Sequence, residues 1–309
     1  MTDTKIRKIA IFGAGAMGAA YAAMFMDARD FSVSFVARGE RYRKLAQGVF
    51  KVNGKRYTIP VIHPDKVMEP AQLVIVALKH HHLTGALEDI NALVGDTTMI
   101  LSVMNGLESE EMIGAVCGKD KLVYAIAVGI DAVREEDRFT FASPGKLIFG
   151  HGPRGGASQQ LGRLQEALNR ARIPNAIPPD MMRMLWWKFM INVGINQASA
   201  VLRAPYGTFQ SSPDARALME MLMQEVIAVA QKAGIDLSSK DLDEWIKVLA
   251  TLSPKGKTSM FQDIEAGRKT EVEIFAGKVV ALGQRHLIPT PVNETVQRII
   301  KVMENQSGV

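Results

Sequence analysis

Residues 8–18 read Lys-Ile-Ala-Ile-Phe-Gly-Ala-Gly-Ala-Met-Gly, an apolar run that leads directly into three glycines spaced as G-x-G-x-x-G. Lys8–Phe12 is typical of a buried strand, and the Ala- and Met-rich stretch Ala16–Ala28 predicts a helix. In this context Gly13 permits a tight turn, Gly15 lets a pyrophosphate approach the backbone, and Gly18 allows close packing of helix on strand. The helix N-terminus would offer N–H groups to the anion. The predicted cofactor contacts here are Gly13, Gly15, Ala16, Met17 and Gly18. An ordinary strand-to-helix turn is the less favoured alternative.

The first half of the chain continues with apolar runs of β type that alternate with helical stretches. Such alternation predicts parallel strands joined by crossover connections, and hence an open α/β sheet. The predicted strands are Lys8–Phe12, Ser32–Ala37, Leu73–Leu78, Thr98–Val103, Leu122–Ile126 and Lys146–Gly150. A helix over Ser158–Arg170 follows them.

From Asp180 onward the apolar patterns are almost all helical, after an interruption by Pro174, Pro178 and Pro179. The predicted helices are a long one capped by Asp180 and running to about Leu202, then Leu218–Ala233, Leu242–Leu252, Thr270–Gln284 and Val292–Glu304. We therefore predict a Rossmann-type α/β domain with a parallel sheet over residues 1–173. An all-α domain is predicted over residues 174–309.

The composition excludes several classes of protein. Of the 309 residues 47% are hydrophobic, which is enough for a sizeable core. The single cysteine, Cys117, excludes intramolecular disulfides and a cysteine-cluster metal site, and we expect no metal. The net charge of +5 is scattered along the chain, which argues against nucleic-acid binding. Apolar runs such as Leu73–Leu78 are too short to span a bilayer, so we expect a cytoplasmic protein without membrane segments.

The end of the second predicted strand bears on the choice of cofactor. An acidic residue there would hold the ribose 2′-hydroxyl of NAD, but the sequence has Arg38. A guanidinium suits the 2′-phosphate of NADP, and Arg41 would reinforce the positive charge. We therefore favour NADP, with an exposed loop cation as the alternative for Arg38.

Two further predicted strands are followed by polar residues, Lys79 and the pair Asn105-Gly106. Ligands of open α/β sheets lie beyond the carboxyl ends of the strands, so both positions suit a nicotinamide ribose or a substrate. A simple turn is an equally good interpretation of Asn105-Gly106.

A polar stripe runs along the long helix of the second domain. Lys188, Asn192 and Asn196 are spaced by four residues within a stretch of Met, Leu, Trp, Phe, Ile and Val, and so share one face. Ser199 returns to nearly the same direction. A solvated face would carry more Glu, Lys and Arg, whereas burying these groups is costly without partners. The stripe therefore favours a site for an anionic, carbonyl-bearing ligand.

A second polar cluster follows at Ser259-Met260-Phe261-Gln262-Asp263 and at Gly267-Arg268-Lys269-Thr270-Glu271. Thr270 is a candidate cap for the next predicted helix. Glu271 is either a functional carboxylate or an acid placed favourably in the first turn of that helix.

Together these residues resemble the ketopantoate reductase (2-dehydropantoate 2-reductase) family over most of the chain. The resemblance rests on the glycine turn, Arg38, Lys79, Asn105-Gly106, Pro144-Gly145-Lys146-Leu147, Trp187-Lys188-x-x-x-Asn192-x-x-x-Asn196, Ser259-Met260-x-Gln262-Asp263 and Gly267-Arg268-x-Thr270-Glu271. It implies an NADPH-dependent reduction of a 2-oxo acid, 2-dehydropantoate to pantoate in pantothenate biosynthesis. The first domain would then bind the cofactor, and the second would bind the substrate and carry the catalytic groups.

The resemblance also implies a role for each matching residue. Lys188 would be the general acid and Glu271 its partner in the active site. Arg38 and Lys79 would contact NADPH. Asn105 would contact both cofactor and substrate, and the remaining substrate contacts would be Asn192, Asn196 and Ser259. The chain departs from the family at Tyr206-Gly207, where Asn-Gly is usual, and this affects the choice of 2-oxo acid more than the reaction class.

Other readings remain open. A reductase of the same family could act on another 2-oxo acid. The β-hydroxyacid dehydrogenases also join a glycine turn to a Lys-x-x-x-Asn helix, but the Ser-Gly-Gly loop that they carry is missing at Gly129-Ile130-Asp131-Ala132. A non-catalytic NADP-binding sensor is the third alternative. Met- and Val-rich helix faces near the C-terminus would suit a homodimer.

Overall fold

The computed structural model describes residues 5–130, 132–135, 138–153, 155 and 158–306, so Asp131 lies outside the described residues. The chain forms two compact units, Met1–Met181 and Met182–Val309. The two units divide after residue 181, whereas the sequence predicts a boundary at residue 173. The reason is that Asn175–Ala176 forms a strand that pairs with Leu147 and Ile148 and so belongs to the first unit.

The first unit is an α/β domain. Its described strands are β1 (Lys8–Phe12), β2 (Ser32–Val36), β3 (Phe50–Val52), β4 (Lys55–Tyr57), β5 (Val61–Ile62), β6 (Leu73–Val76), β7 (Met99–Ser102), β8 (Leu122–Ile130), β9 (Val133–Glu135), β10 (Arg138–Thr140), β11 (Pro144–Gly150) and β12 (Asn175–Ala176). Its described helices are α1 (Ala16–Asp27), α2 (Gly39–Ala46), α3 (His80–Leu83), α4 (Leu87–Asn91), α5 (Ser109–Cys117) and α6 (Ser158–Arg170).

Eight strands form the main sheet in the order β12-β11-β8-β7-β6-β1-β2-β5. The predicted parallel pairing is confirmed from β5 to β8, whereas β11 runs antiparallel to β8. The chain passes from β1 to β2 on one side and later returns to place β6 on the other side of β1. This reversal of strand order creates a crevice beyond the carboxyl ends of β1 and β6.

The main sheet is buried on both faces, which explains why its strands read as unbroken apolar runs. In β1, Ile9 and Ile11 pack into one hydrophobic cluster, and Ala10 and Phe12 pack into another on the opposite face. Alternate side chains of a strand point to opposite faces, so both faces must be apolar. Each buried Ile or Phe side chain contributes about 1.5–3 kcal/mol to folding.

A second, four-stranded sheet, in the order β4-β3-β10-β9, was not predicted. Its strands have three residues each and contain several Lys and Arg residues, so they lack a clear apolar run. The β3–β4 hairpin turns at Asn53-Gly54, where both residues have positive φ angles of 48° and 78°. Asn-Gly is the preferred pair for such a two-residue turn.

The second unit is helical in its described residues, as predicted. Its helices are α7 (Met181–Ile191), α8 (Gln197–Leu202), α9 (Tyr206–Ser211), α10 (Pro213–Lys232), α11 (Ser239–Thr251), α12 (Ser259–Glu265), α13 (Lys278–His286) and α14 (Pro291–Gln306). Two five-residue π-helical turns complete it, Asn192–Asn196 and Glu273–Gly277. None of the described helices is long and apolar enough to cross a membrane.

Cys117 ends α5 and is buried. Burial, and secondarily the charge of Glu88, raises the pKa of this thiol to about 11. The thiol is therefore protonated at neutral pH and serves as a small apolar side chain in the core.

Candidate active site

The three glycines of the turn after β1 differ in what a side chain at each position would meet. A Cβ atom on Gly13, where φ is +101°, would lie 2.3 Å from the carbonyl oxygen of Ala77. A Cβ atom on Gly18 would lie 1.8 Å from the carbonyl oxygen of Gly13. A Cβ atom on Gly15 would meet no atom within 4 Å. Gly13 and Gly18 thus permit the packing of β1, β6 and α1, whereas Gly15 leaves open space over the turn.

The N-terminus of α1 is suited to a phosphate group. Gly15 is its N-cap and has no side chain to accept a hydrogen bond from the first turn, which includes Ala16 and Met17 and contains no acidic residue. The N–H groups and the partial positive charge of a helix N-terminus favour an anion. This open, uncapped turn at the sheet crevice fits the pyrophosphate of a dinucleotide.

Arg41 lies beside the same turn. Its Nη2 atom is 3.5 Å from the carbonyl oxygen of Ala14, which brings a guanidinium next to the glycines. Burial, and then the charge of Arg134, lowers the pKa of Arg41 from its ordinary value. A negative charge bound at the turn would offset both effects, because it favours the charged form of the Arg41 guanidinium.

Arg38 follows β2, as predicted, and is half-exposed, but two carboxylates hold it. Its Nη1 and Nη2 atoms donate to Asp65 at 2.9 and 2.6 Å. Its Nη2 and Nε atoms donate to Asp89 at 2.8 and 3.1 Å. These hydrogen bonds, led by the one to Asp89, raise the pKa of Arg38, and the guanidinium lowers the pKa of Asp65. The sequence reasoning missed both carboxylates.

Lys79 and Asn105 lie beyond the carboxyl ends of β6 and β7, the edge that the glycine turn also occupies. Lys79 precedes α3 as its N-cap residue and is half-buried. Gly106 has a φ of 93°, and the pair Asn105-Gly106 lies in a bend after β7. The two interpretations of this pair are compatible, because Asn105 lies at the carboxyl edge of the sheet, where the ligands of open α/β sheets bind.

A buried chain of hydrogen bonds stabilises the backbone that leads to Asn105. The Ser102 hydroxyl accepts a hydrogen bond of 3.3 Å from the backbone N–H of Met104. Its oxygen lies 2.8 Å from that of Ser109, which donates to Glu110 at 2.7 Å. All three side chains are buried, so this chain fixes the backbone next to Asn105.

The long helix predicted from Asp180 to Leu202 is interrupted by the π turn Asn192–Asn196 between α7 and α8. Lys188 and Asn192 are half-buried and Asn196 is 7% exposed. The stripe is therefore not a solvated face. π-Helical turns are rare and frequent at functional sites.

Ser199 makes hydrogen bonds within the second unit. It is fully buried, it donates to the carbonyl oxygen of Asn196 at 3.1 Å, and its hydroxyl lies 2.5 Å from that of Thr258. Thr258 in turn caps α12 by accepting from the N–H of Phe261. These contacts join the stripe helix to the segment that begins with Ser259, which is itself exposed.

Gln197, which the sequence analysis did not single out, satisfies backbone groups in both π turns. Its Nε2 atom donates to the carbonyl oxygen of Val193 at 2.8 Å, and its Oε1 atom accepts from the N–H of Ala276 at 3.0 Å. In the second turn Gly277 donates to Val272, five residues earlier. In a regular α-helix the N–H of Ala276 would donate to the carbonyl oxygen of Val272. Here it donates to Gln197 instead.

Glu271 lies just before the second π turn and is 6% exposed, so it is not a solvated helix-start residue. Its neighbour Thr270 donates through both its backbone N–H and its hydroxyl to Glu304 of α14, at 2.7 and 2.6 Å. The Thr270 hydroxyl accepts from the N–H of Val272, as expected for a cap. The predicted helix start at Thr270 is three residues early, because the π turn begins at Glu273.

The packing of the second unit brings its predicted site segments together. The first π turn, which carries Asn192 and Asn196, packs against α12 and against the second π turn. Ser259 begins α12, and Glu271 directly precedes the second π turn. Lys188 lies one helical turn before the first π turn. The second unit therefore gathers an amine, two amides and a carboxylate on neighbouring elements.

Tyr206, where the sequence departs from the resemblance, begins α9. Its N–H donates to the carbonyl oxygen of Gly256 at 2.9 Å, and a Cβ atom on Gly256 would lie 2.9 Å from its ring. Burial raises the pKa of its phenol. The ring thus packs closely on the loop that leads to α12.

A doubly wound sheet with an open glycine turn, followed by a helical unit with a half-buried lysine, defines a dinucleotide-binding oxidoreductase of Rossmann type. Two models of one family match the chain: "Ketopantoate reductase PanE/ApbA" over residues 9–154 and "Ketopantoate reductase PanE/ApbA C terminal" over residues 180–304. The chain belongs to the ketopantoate reductase family, as the resemblance implied.

The chain is also similar to individual relatives and to solved structures. The chain is 27% identical to the 2-dehydropantoate 2-reductase of Aquifex aeolicus over 97% of both chains. Among solved structures it is similar to D-mandelate dehydrogenase with NADH and anilino(oxo)acetate, with a TM-score of 0.88 and 20% identity over 98% of this chain and 100% of that one. It is also similar to a dimeric ketopantoate reductase from Staphylococcus aureus, with a TM-score of 0.82 and 20% identity over 97% and 99% of the two chains.

Proposed function

We propose that the protein reduces 2-dehydropantoate to pantoate with NADPH, the reduction step of pantothenate biosynthesis. The observation that carries this proposal is the half-buried Lys188, one turn before the π turn that presents Asn192 and Asn196. A cation set among neutral amides suits a ligand that has a carboxylate and a carbonyl group. The family of the chain supports the same reaction.

Lys188 is the proposed general acid. Negative charge develops on the C2 carbonyl oxygen as the carbonyl carbon is reduced, and an ammonium group hydrogen-bonded to that oxygen stabilises the charge. The Lys188 Nζ then gives its proton to the oxygen as the alcohol forms. NADPH, when bound, supplies the hydride for this reduction.

Glu271 is the proposed partner of the lysine. A buried carboxylate favours the charged form of a nearby amine, and it can also accept a hydrogen bond from a substrate hydroxyl. Asn105, Asn192, Asn196 and Ser259 are the proposed substrate contacts. Their amide and hydroxyl groups can orient a carboxylate without competing with the lysine for the proton.

The first unit is proposed to bind the cofactor. The open space at Gly15 and the uncapped N-terminus of α1 would take the pyrophosphate. Lys79 and Asn105, at the carboxyl edge of the sheet, are the proposed contacts to the nicotinamide half. Arg38, at the end of β2, is the proposed contact to the 2′-phosphate, which favours NADPH over NADH.

Lys188→Ala tests the proposal directly. We expect its kcat for reduction of 2-dehydropantoate by NADPH to fall at least about 100-fold, the usual contribution of a general acid. NADPH binding, measured by calorimetry, should stay within about twofold of the wild type. Lys247→Ala, which removes an exposed lysine of α11, is the matched control and should keep full activity. Full turnover by Lys188→Ala would refute the assignment.

A second candidate is reduction of a different 2-oxo acid by the same residues. Tyr206 favours it, because its ring packs on the loop before α12 where the family usually has Asn. The similar D-mandelate dehydrogenase was solved with anilino(oxo)acetate, an aromatic oxo acid. A panel of aliphatic and aromatic 2-oxo acids, compared by kcat/KM, separates the two candidates. A protein that binds NADPH but reduces none of them would instead be a sensor.

The proposal includes a cytoplasmic homodimer. The S. aureus relative is dimeric, and α14 exposes Ile299 and Val302 on its surface. The unpaired thiol of Cys117 suits a reducing compartment. Light scattering coupled to size exclusion would give twice the mass of 33.8 kDa for a dimer.

A further inference from the structure

Arg38 is held by two carboxylates at the position where a 2′-phosphate would bind. Asp65 engages it with two parallel N–H···O bonds, and Asp89 adds bonds from Nε and Nη2. All three guanidinium nitrogens therefore already donate to a carboxylate. A guanidinium has five N–H donors, so few remain for a phosphate unless a carboxylate leaves.

The two acids come from different parts of the chain and converge on Arg38. Asp65 lies in the short 3-10 turn Pro64–Lys66 that follows β5, the edge strand next to β2. Asp89 lies in α4, which packs against that turn. The Asp89 carboxylate is only 17% exposed, whereas Asp65 is 61% exposed. Asp65 is thus the carboxylate that solvent and a ligand reach more easily.

The charge balance of this cluster differs from that of a simple phosphate site. One guanidinium and two carboxylates sum to −1, so these three groups together do not attract a 2′-phosphate dianion. A ribose 2′-hydroxyl carries no charge, and it can donate a hydrogen bond to a carboxylate, as in NAD-binding sheets.

On the basis of the proposed cofactor role of the first unit, we infer that Asp65 and Asp89 are specificity-determining residues. By competing for Arg38, they lower the preference for NADPH over NADH and let the protein use both nucleotides. Of the two ion pairs, the more exposed one, between Arg38 and Asp65, is screened more strongly as ionic strength rises.

Direct binding measurements test this inference without a substrate. Dissociation constants of NADPH and NADH are measured by titration calorimetry for the wild type, Asp65→Asn, Asp89→Asn and the double variant. We expect NADPH to bind about two- to fivefold more tightly to each single variant, which is the scale of an exposed ion pair. The double variant should gain about tenfold, and NADH binding should stay unchanged or weaken.

Asp96→Asn is the matched control for net charge. Asp96 is exposed and precedes β7, at the edge of the sheet opposite to Arg38. The Asp96→Asn variant should keep the wild-type ratio of the dissociation constants of NADPH and NADH. Adding Arg38→Gln to the double variant should abolish the gain for NADPH. Circular dichroism confirms that each variant is folded.

The inference is overturned if the double variant binds NADPH no more tightly relative to NADH, or more weakly. Weaker binding would mean that the carboxylates orient Arg38 for the phosphate instead of competing with it. Failure to bind either nucleotide would overturn both this inference and the proposed function. A protein that binds both nucleotides with the expected ratios, yet reduces no 2-oxo acid, would refute the proposed function alone.

Discussion

The backbone N–H of Ala276 donates to the side chain of Gln197, 79 residues earlier, instead of to the carbonyl group of Val272. The same side chain donates to Val193 and to Asn293, and Asn293 donates to Glu225 at 2.7 Å. Gln197 therefore stabilises two π turns at once. One turn carries Asn192 and Asn196, and the other directly follows Glu271.

Replacing Gln197 by Leu should destabilise the protein strongly. The change leaves the N–H of Ala276 and the carbonyl group of Val193 buried without these partners, and each such group costs about 1–3 kcal/mol. We expect the free energy of unfolding, measured with urea, to fall by about 2–5 kcal/mol. Gln284→Leu, at an exposed position of α13, should change it by less than about 0.5 kcal/mol. Equal stability of the two variants would contradict the role of the amide.

Alanine substitutions in the glycine turn should separate folding from cofactor binding. Gly18→Ala places a methyl group on the carbonyl oxygen of Gly13, so we expect a loss of several kcal/mol or failure to fold. Gly15→Ala meets no protein atom and should fold normally. Its methyl group occupies the space proposed for the pyrophosphate, so nucleotide binding should weaken at least about tenfold in calorimetry.

Gly162→Ala provides the control for these two variants. It lies in α6, its Cβ would also meet nothing within 4 Å, and alanine is the better helix former by up to about 1 kcal/mol. Its melting temperature should rise slightly and nucleotide affinity should not change. Unimpaired nucleotide binding by Gly15→Ala would place the cofactor elsewhere.

Thr270→Val tests how Glu271 is held in place. The change keeps the shape of the side chain but removes the hydroxyl that donates to Glu304 and accepts from Val272. Hydrogen bonds to charged groups contribute about 1.5–3 kcal/mol, so the free energy of unfolding, measured with urea, should fall by that amount. Thr295→Val removes a hydroxyl that bonds within the exposed face of α14, and it should have little effect. A wild-type unfolding curve for Thr270→Val would exclude this anchoring role.

Local patterns were sufficient to predict the main sheet and the glycine turn. β1 has its predicted bounds because five apolar or amphipathic residues lead into glycines whose φ angles or close contacts exclude a side chain. The three-residue strands β3, β4, β9 and β10 were missed, because strands this short and this charged have no periodicity to detect. The antiparallel direction of β11 depends on pairing with β8, which no local pattern specifies.

The sequence alone could propose the residue types of the candidate site but not the contacts that connect them. The spacing of Lys188, Asn192 and Asn196 placed them on one helix face. The π turn within that helix depends on Gln197, whose partner Ala276 is distant in sequence. In the same way Arg38 was identified from its place after β2. Its two carboxylate partners lie 27 and 51 residues further along the chain, where the sequence gives no sign of contact.

The buried, protonated thiol of Cys117 makes the protein a convenient subject for spectroscopic labelling. A maleimide or a spin label reacts with thiolates, and a cysteine with a pKa of about 11 offers almost none at pH 7. A second cysteine, introduced at an exposed position such as Asp96 or Lys247, would then be the preferred attachment point for a probe. Site-specific labelling of the protein at that position would thus require no prior removal of the native thiol.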